Sequence, residues 1–145
     1  MAFMELLEAK QILKLPKIFV VQPKNCCPIV ACWTDGMGAL ESLTFTKTIA
    51  EGTAIKKPIR LSKILDVLKK TKGGGLAVTE EEIMKATLEL SKNGFFVEPT
   101  CASAAVGLEK LRAKNLIHSD ETTVVVLTGS GLKSSDFFTE NVASQ

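Results

Sequence analysis

The stretch GGGLAVTEEEIMKATLELSKNGFFVEPTCASAAVGLEKL, residues 73–111, decides the fold class. Leu76-Ala77-Val78 is a short apolar run with the look of a covered strand. Thr79 followed three residues later by Glu82 forms a capping box, in which each side chain satisfies an amide the helix leaves orphaned. Ile83, Ala86, Thr87 and Leu90 then recur at helical spacing until Gly94 stops them. Phe95-Phe96-Val97 reads as another short strand, ended by Glu98-Pro99. Thr100 is placed to cap a helix running through Leu108 and Leu111 to about Lys114. Strand, helix, strand, helix is the repeating unit of an α/β domain.

Outward from this stretch the same alternation continues. Residues 61–70 carry Ile64, Leu65 and Leu68 on one helical face, and Lys69, Lys70 and Lys72 suit the negative end of that helix dipole. Gly73, Gly74 and Gly75 precede a strand, whereas a phosphate cradle needs its glycines after a strand and before a helix. They read as a flexible connection. Between Gly36 and Pro58 the glycines interrupt any period, and loops with one short helix are expected. Asn25 is placed to cap a helix with Pro28 in its first turn that continues through Trp33 to Asp35-Gly36, and Ile18-Phe19-Val20-Val21 reads as a buried strand. Phe3, Leu6, Leu7, Ala9, Ile12 and Leu13 predict an amphipathic helix over roughly 2–14. Toward the other terminus, Thr122 to Leu127 is a β-branched run that delivers the loop Thr128-Gly129-Ser130-Gly131. Strands near 18, 76, 95 and 123 separated by helices predict an α/β fold: a three-layer doubly wound sheet, mostly parallel, with helices on both faces, forming a single domain over residues 1–145.

A chain of 145 residues matches one ordinary domain. Its formal net charge of +2 is too small to steer it to nucleic acid or an acidic membrane. No apolar run approaches the ~20 residues that span a bilayer, and the start, with Glu5 and Glu8, lacks the basic flank of a secretory signal. The expectation is a cytoplasmic protein with neither a nucleic-acid nor a membrane partner. Cys26 and Cys27 are adjacent, Cys32 follows on the same helix, Cys101 stands alone, and His118 is the single histidine. This is not zinc-ligand spacing, so no metal is expected, and Cys27, Cys32 and Cys101 read as buried thiols.

Ligands of doubly wound folds bind beyond the carboxyl ends of the strands. Two segments fall there: Glu98-Pro99-Thr100, opening a helix whose next residues, Cys101 to Ala105, are all small, and Thr128-Gly129-Ser130-Gly131. Small residues serve close helix packing equally well.

At these residues a family resemblance appears. TIAEGTAIKKPIR (48–60), VTEEEI (78–83), FFVEPTCASAAVGLEKL (95–111) and VVVLTGSGLK (124–133), in this order and spacing, resemble the C-terminal half of threonine synthases. Those enzymes belong to the fold-type II pyridoxal-phosphate group, together with threonine deaminases and serine racemases. The resemblance runs from about Leu15 to Lys133, and Gly131-Leu132-Lys133 favours the synthases, since deaminases usually show an asparagine there.

The resemblance implies a pyridoxal phosphate cofactor. It places Thr128, which opens the glycine loop, at the pyridine nitrogen, counts Gly129 with it among the cofactor-binding residues, and puts Gly52 at a backbone position near the ring and Glu98 in a turn under the cofactor. A neutral hydroxyl at the nitrogen does not enforce a protonated pyridine as a carboxylate would. Without a ligand, Thr128 is an ordinary strand-end hydroxyl satisfying local backbone groups. The family's cofactor-holding lysine, in a Ser-x-Lys-Asp segment, and its phosphate loop are not found in this sequence, and Lys24 and Lys133 have other contexts. No residue is therefore assigned a catalytic role, and the chain alone is expected not to catalyse. Ser130 stands where synthases often carry histidine or asparagine, and Cys101 where serine is usual, which leaves substrate preference open. The whole enzyme is expected to convert O-phosphohomoserine and water to threonine and phosphate. Its expected partners are a phosphorylated amino acid, the lysine-bearing part of the same enzyme and further copies in a homo-oligomer. Serine or threonine dehydration, and a non-catalytic α/β binding module, are the other readings.

Overall fold

The computed structural model describes residues 2–142. In chain order the elements are α1 (Ala2–Glu8), β1 (Phe19–Pro23), α2 (Pro28–Asp35), α3 (Ala39–Ser42), α4 (Leu61–Lys70), β2 (Gly74–Val78), α5 (Glu80–Lys92), α6 (Pro99–Ala113) and α7 (Ser135–Val142). The fold is α/β, with a small parallel sheet: β1 pairs with β2, Phe19 opposite Gly74 through Pro23 opposite Val78.

Strand side chains alternate between faces, so Val21, Leu76 and Val78 share one face and Val20, Gln22 and Gly75 the other. Val21 and Val78 pack with Ile83 and Ala86 of α5, Val106 of α6, and Ile49 and Ala50. Helix α6 comes this close because Gly107 faces Val21, whose side chain fills the space a Cβ there would need. On the opposite face, Val30 and Trp33 of α2 lie against Gly75. Helix α2 in turn joins α4 through a cluster of Cys32, Leu61 and Leu65 flanked by Ile29, Trp33 and Leu40.

Two polar devices start the helices. Thr79 and Glu82 form the expected capping box: the Glu82 amide donates to Thr79 Oγ1 at 3.2 Å and the Thr79 amide to Glu82 Oε2 at 2.8 Å. Lys110 of α6 reaches the same carboxylate, with Nζ 2.7 Å from Oε2. Helix α2 is begun differently. Its N-cap residue, Cys27, makes no side-chain bond to the helix amides, its thiol donating instead to the Lys24 carbonyl at 3.4 Å. Instead Gln22 of β1, 4% exposed, accepts from the Ile29 and Val30 amides at 2.9 and 3.1 Å, serving donors that every helix start leaves orphaned.

The four-strand doubly wound sheet is not formed among the described residues. Phe95 to Val97 lies between Gly94, at φ 87°, and the start of α6, and makes only an isolated antiparallel bridge, Val97 with Ser130. Residues 122–127 form no ladder, and Val124 and Val126 are 81% and 66% exposed. A β-branched run becomes a strand only when a neighbouring edge offers it hydrogen bonds and packing.

Smaller expectations are corrected as well. Helix α1 stops at Glu8, none of its residues is buried, and the chain turns through Lys10 at φ 58°, leaving Leu13 exposed. A short helix without a packed face gains too little to extend. Asn25 lies in a 3-10 turn before α2, where its side-chain amide donates to the Lys47 carbonyl at 2.6 Å rather than capping. The glycine run is no flexible connection: Gly74 and Gly75 belong to β2, and Gly73 leaves no room for a Cβ beside the Ile18 carbonyl. Cys26 is buried, whereas Cys27, expected to be, is only half-buried.

Candidate functional site

Helix α6 begins with Glu98 as N-cap residue and Pro99 at N1, a position that needs no amide hydrogen. Its first turn gathers two segments from distant parts of the chain. From the C-terminal side comes the loop 128–131. The Glu98 amide donates to the Gly129 carbonyl at 3.2 Å and the Gly131 amide to the Phe96 carbonyl at 3.0 Å. The backbone bonds expected to join Phe95–Val97 to a sheet thus hold the glycine loop. Gly131 is wedged against Phe96 and Phe138, whose ring centroids are 4.5 Å apart.

Cys101, 2% exposed, sits under this loop. Its sulfur accepts from the Thr128 amide at 3.0 Å and the Gly129 amide at 2.9 Å, and lies 3.4 Å from the Thr128 hydroxyl. The Glu98 carboxylate occupies the space that a Cβ on Gly129 would take, so any larger residue there has to turn that carboxylate aside.

From the middle of the chain comes the 3-10 turn Glu51–Thr53. The Ile49 amide donates to Glu80 Oε2 at 2.8 Å and Ala50 is fully buried, which fixes the approach. The Gly52 amide then donates to Thr100 Oγ1 at 3.1 Å. Thr100, expected as the cap of α6, instead lies inside the helix and bonds this outside segment.

Of the residues singled out in the sequence, Thr128, Gly129 and Glu98 are in mutual contact or one residue apart, and Gly52 reaches the same helix turn through Thr100. Thr128 and Gly52 are exposed, and Glu98 is half-buried. Thr100 and Cys101, which the sequence placed in the segment at this helix start without a part in holding the site, belong to it as well. Their signal was two short side chains with acceptor atoms in consecutive places of a helix start. Two cavities lie elsewhere: one of about 600 Å³ is bordered by Arg112, Asn115 and His118, and one of about 260 Å³ by Lys17, Phe19, Trp33 and Lys72. The cluster at α6 is an open surface site, and its chemistry rather than its volume marks it.

Residues 1–129 match the family of pyridoxal-phosphate dependent enzymes. The chain belongs to that family. It is 37% identical over 124 residues to the threonine synthase of Methanocaldococcus jannaschii, covering 85% of this chain and 31% of that protein. It is 35% identical over 120 residues to the threonine synthase of Methanosarcina acetivorans, covering 82% and 30%. It is 31% identical over 121 residues to threonine synthase 2, chloroplastic, of Arabidopsis thaliana, covering 83% and 23%. The chain therefore spans about a third or less of the length of these curated relatives.

The cluster suits the cofactor of a pyridoxal-phosphate dependent enzyme in what it offers. Thr128 presents an exposed neutral hydroxyl that both donates and accepts. Gly52 presents exposed backbone and carries no side chain of its own, its amide being held by Thr100. Both stand at the start of a 15-residue helix, whose positive end favours an anionic group. Among the described residues, no lysine takes part in the cluster's hydrogen bonds.

Proposed function

We propose that this chain supplies the ring-contacting part of a pyridoxal phosphate site in an enzyme of the threonine synthase kind. Thr128 would meet the pyridine nitrogen through its hydroxyl, with Gly129 keeping the loop low over Glu98, Gly52 bringing backbone close to the ring, and Glu98 lying beneath. The bound cofactor would withdraw electrons from the substrate's reacting carbons. The part of this chain is to bind and orient it, and to keep a neutral partner at the nitrogen. The whole enzyme would convert O-phosphohomoserine and water to threonine and phosphate. Its cofactor-holding lysine would come from the part of the relatives' length that this chain does not span. The run 122–127 would there find the strand partners that complete a larger doubly wound sheet. Assembly into a homo-oligomer and a cytoplasmic location belong to the same proposal.

The observation that carries this reading is the convergence of Gly52, Glu98, Thr128 and Gly129 on one helix turn. These residues come from three separate segments of the chain. The test is a pyridoxal phosphate titration of the full protein that contains this chain, with Thr128→Val beside the wild type, followed by product analysis with O-phosphohomoserine and with threonine. Weaker cofactor retention in the variant and phosphate release from O-phosphohomoserine support the proposal. Identical cofactor binding and spectra in both proteins reject the assignment of Thr128, and turnover of threonine alone moves the activity to dehydration.

A further inference from the structure

We infer that Thr100 and Cys101 are a positioning pair, two consecutive side chains on the first turn of α6 that hold the Gly52 backbone and the Thr128 hydroxyl in fixed relation. Their use at a cofactor rests on the proposed function above.

Consecutive helix residues point about 100° apart around the axis, so neighbouring side chains aim at different surroundings. Thr100 Oγ1 aims at the 51–53 turn and takes the Gly52 amide, while Cys101 Sγ aims at the 128–131 loop and takes two amides. Both acceptor atoms are one bond from Cβ, the shortest reach a side chain has, which leaves little freedom once the helix is placed. Acceptors at a helix start ordinarily serve the helix's own orphan amides. These two serve amides of segments far away in sequence.

Steric stops complete each hold. A Cβ on Gly52 would come within 3.0 Å of Thr100 Oγ1 and 3.1 Å of its methyl carbon. One on Gly129 would displace the Glu98 carboxylate. Each segment is thus pressed against the helix turn at a residue without a side chain and tied there by a hydrogen bond. The Thr128 hydroxyl, 3.4 Å from the same sulfur, is set along with its amide.

The pair is tested by amide hydrogen exchange on the full protein carrying Thr100→Val, Thr100→Ser, Cys101→Ala or Cys101→Ser. Removing the acceptor should speed exchange about threefold to tenfold at the amides it held. Thr100→Val should act at Gly52 only, Cys101→Ala at Thr128 and Gly129 only, and the serine variants should restore protection. Amides of β2 serve as the control for folding and should not change. Unaltered exchange at the matching amides in both acceptor-free variants, or equal loosening of both segments by either one, overturns the pair. Pyridoxal phosphate uptake, measured on the same proteins, separates the two ideas. Uptake unchanged by loosened loops overturns the pair's role at the cofactor. A wild type that takes up none overturns the cofactor site itself, and the amides still decide the pair.

Discussion

The Glu98 carboxylate fills the space that a side chain at position 129 would need, so the loop carrying Thr128 can keep its place on α6 with a larger residue there only if that carboxylate turns aside. Gly129→Ala should therefore cost stability, but less than the ~1–3 kcal/mol of overpacking a core, because the tip of a half-exposed glutamate can move. Glu98→Ala vacates the space, and the double variant should lose less than the sum of the single ones, as contacting residues do in such cycles. Urea unfolding of the four proteins decides it. Simple additivity would mean the two residues do not constrain each other.

Gly107 offers a case where two effects oppose. In a helix interior, alanine is favoured over glycine by about 1 kcal/mol. Here the new methyl would meet the side chain of Val21, and the cost of overpacking, about 1–3 kcal/mol, should win. Gly107→Ala is expected to lower the melting temperature, and Val21→Ala in the same protein to recover part of the loss. A stabilised single variant would show that α6 shifts freely away from β1.

Glu82 links stability to pH. Burial alone would raise its carboxyl, but the Lys110 ammonium and the Thr79 amide together bring it below the ordinary carboxylate range. A carboxyl lowered by folding contributes stability above its unfolded value, about 4.3. That contribution is lost as pH falls through the folded value. Wild type should therefore exceed Glu82→Gln in stability at neutral pH, with the gap closing below about pH 5 as the carboxylate takes up its proton. Denaturation midpoints across the acid range report this, and a gap of constant size would rule out the carboxylate as its source.

Three thiols should respond to pH in the alkaline direction. Burial pushes Cys26, Cys27 and Cys32 above the ordinary thiol value. Alkylation needs the thiolate, so labelling by iodoacetamide should be slow at neutral pH and quicken as the solution becomes more alkaline. Cys27, half-buried, should be modified before the buried Cys26 and Cys32. Peptide mass mapping against time gives the order, and prior labelling of Cys32 would contradict the packing of α2 on α4.

Val124 and Val126 present an unpaired β-branched run to solvent. Such runs seek other edges. The chain should self-associate with rising concentration, and a Val124→Lys, Val126→Lys variant should sediment as a smaller species. Equal sedimentation of the two proteins would place the contact on another surface.

The elements legible in the sequence were those whose signals are local. Thr79 and Glu82 announce α5, Pro28 and Gly36 bracket α2, and the leucine spacing with its terminal lysines marks α4. The residues 122–127 misled because strand identity depends on a neighbour. The residues 2–14 misled because periodicity states which face would pack, not that anything packs there. The candidate site was legible as separate strings resembling a family. What could not be read was their junction. That Thr100 bonds Gly52 and Cys101 bonds the 128–129 amides depends on how α6 lies across β1, set in part by the missing side chain of Gly107.

Gln22 gives the molecule a unit of unfolding larger than any one element. It belongs to the strand, yet its side chain satisfies the first amides of the helix that follows. When β1 leaves β2, the start of α2 loses its acceptor in the same event, and α2 carries the contacts that hold α4. Protection should thus vanish together across β1, α2 and α4. The side of the sheet away from α6 would open as one piece.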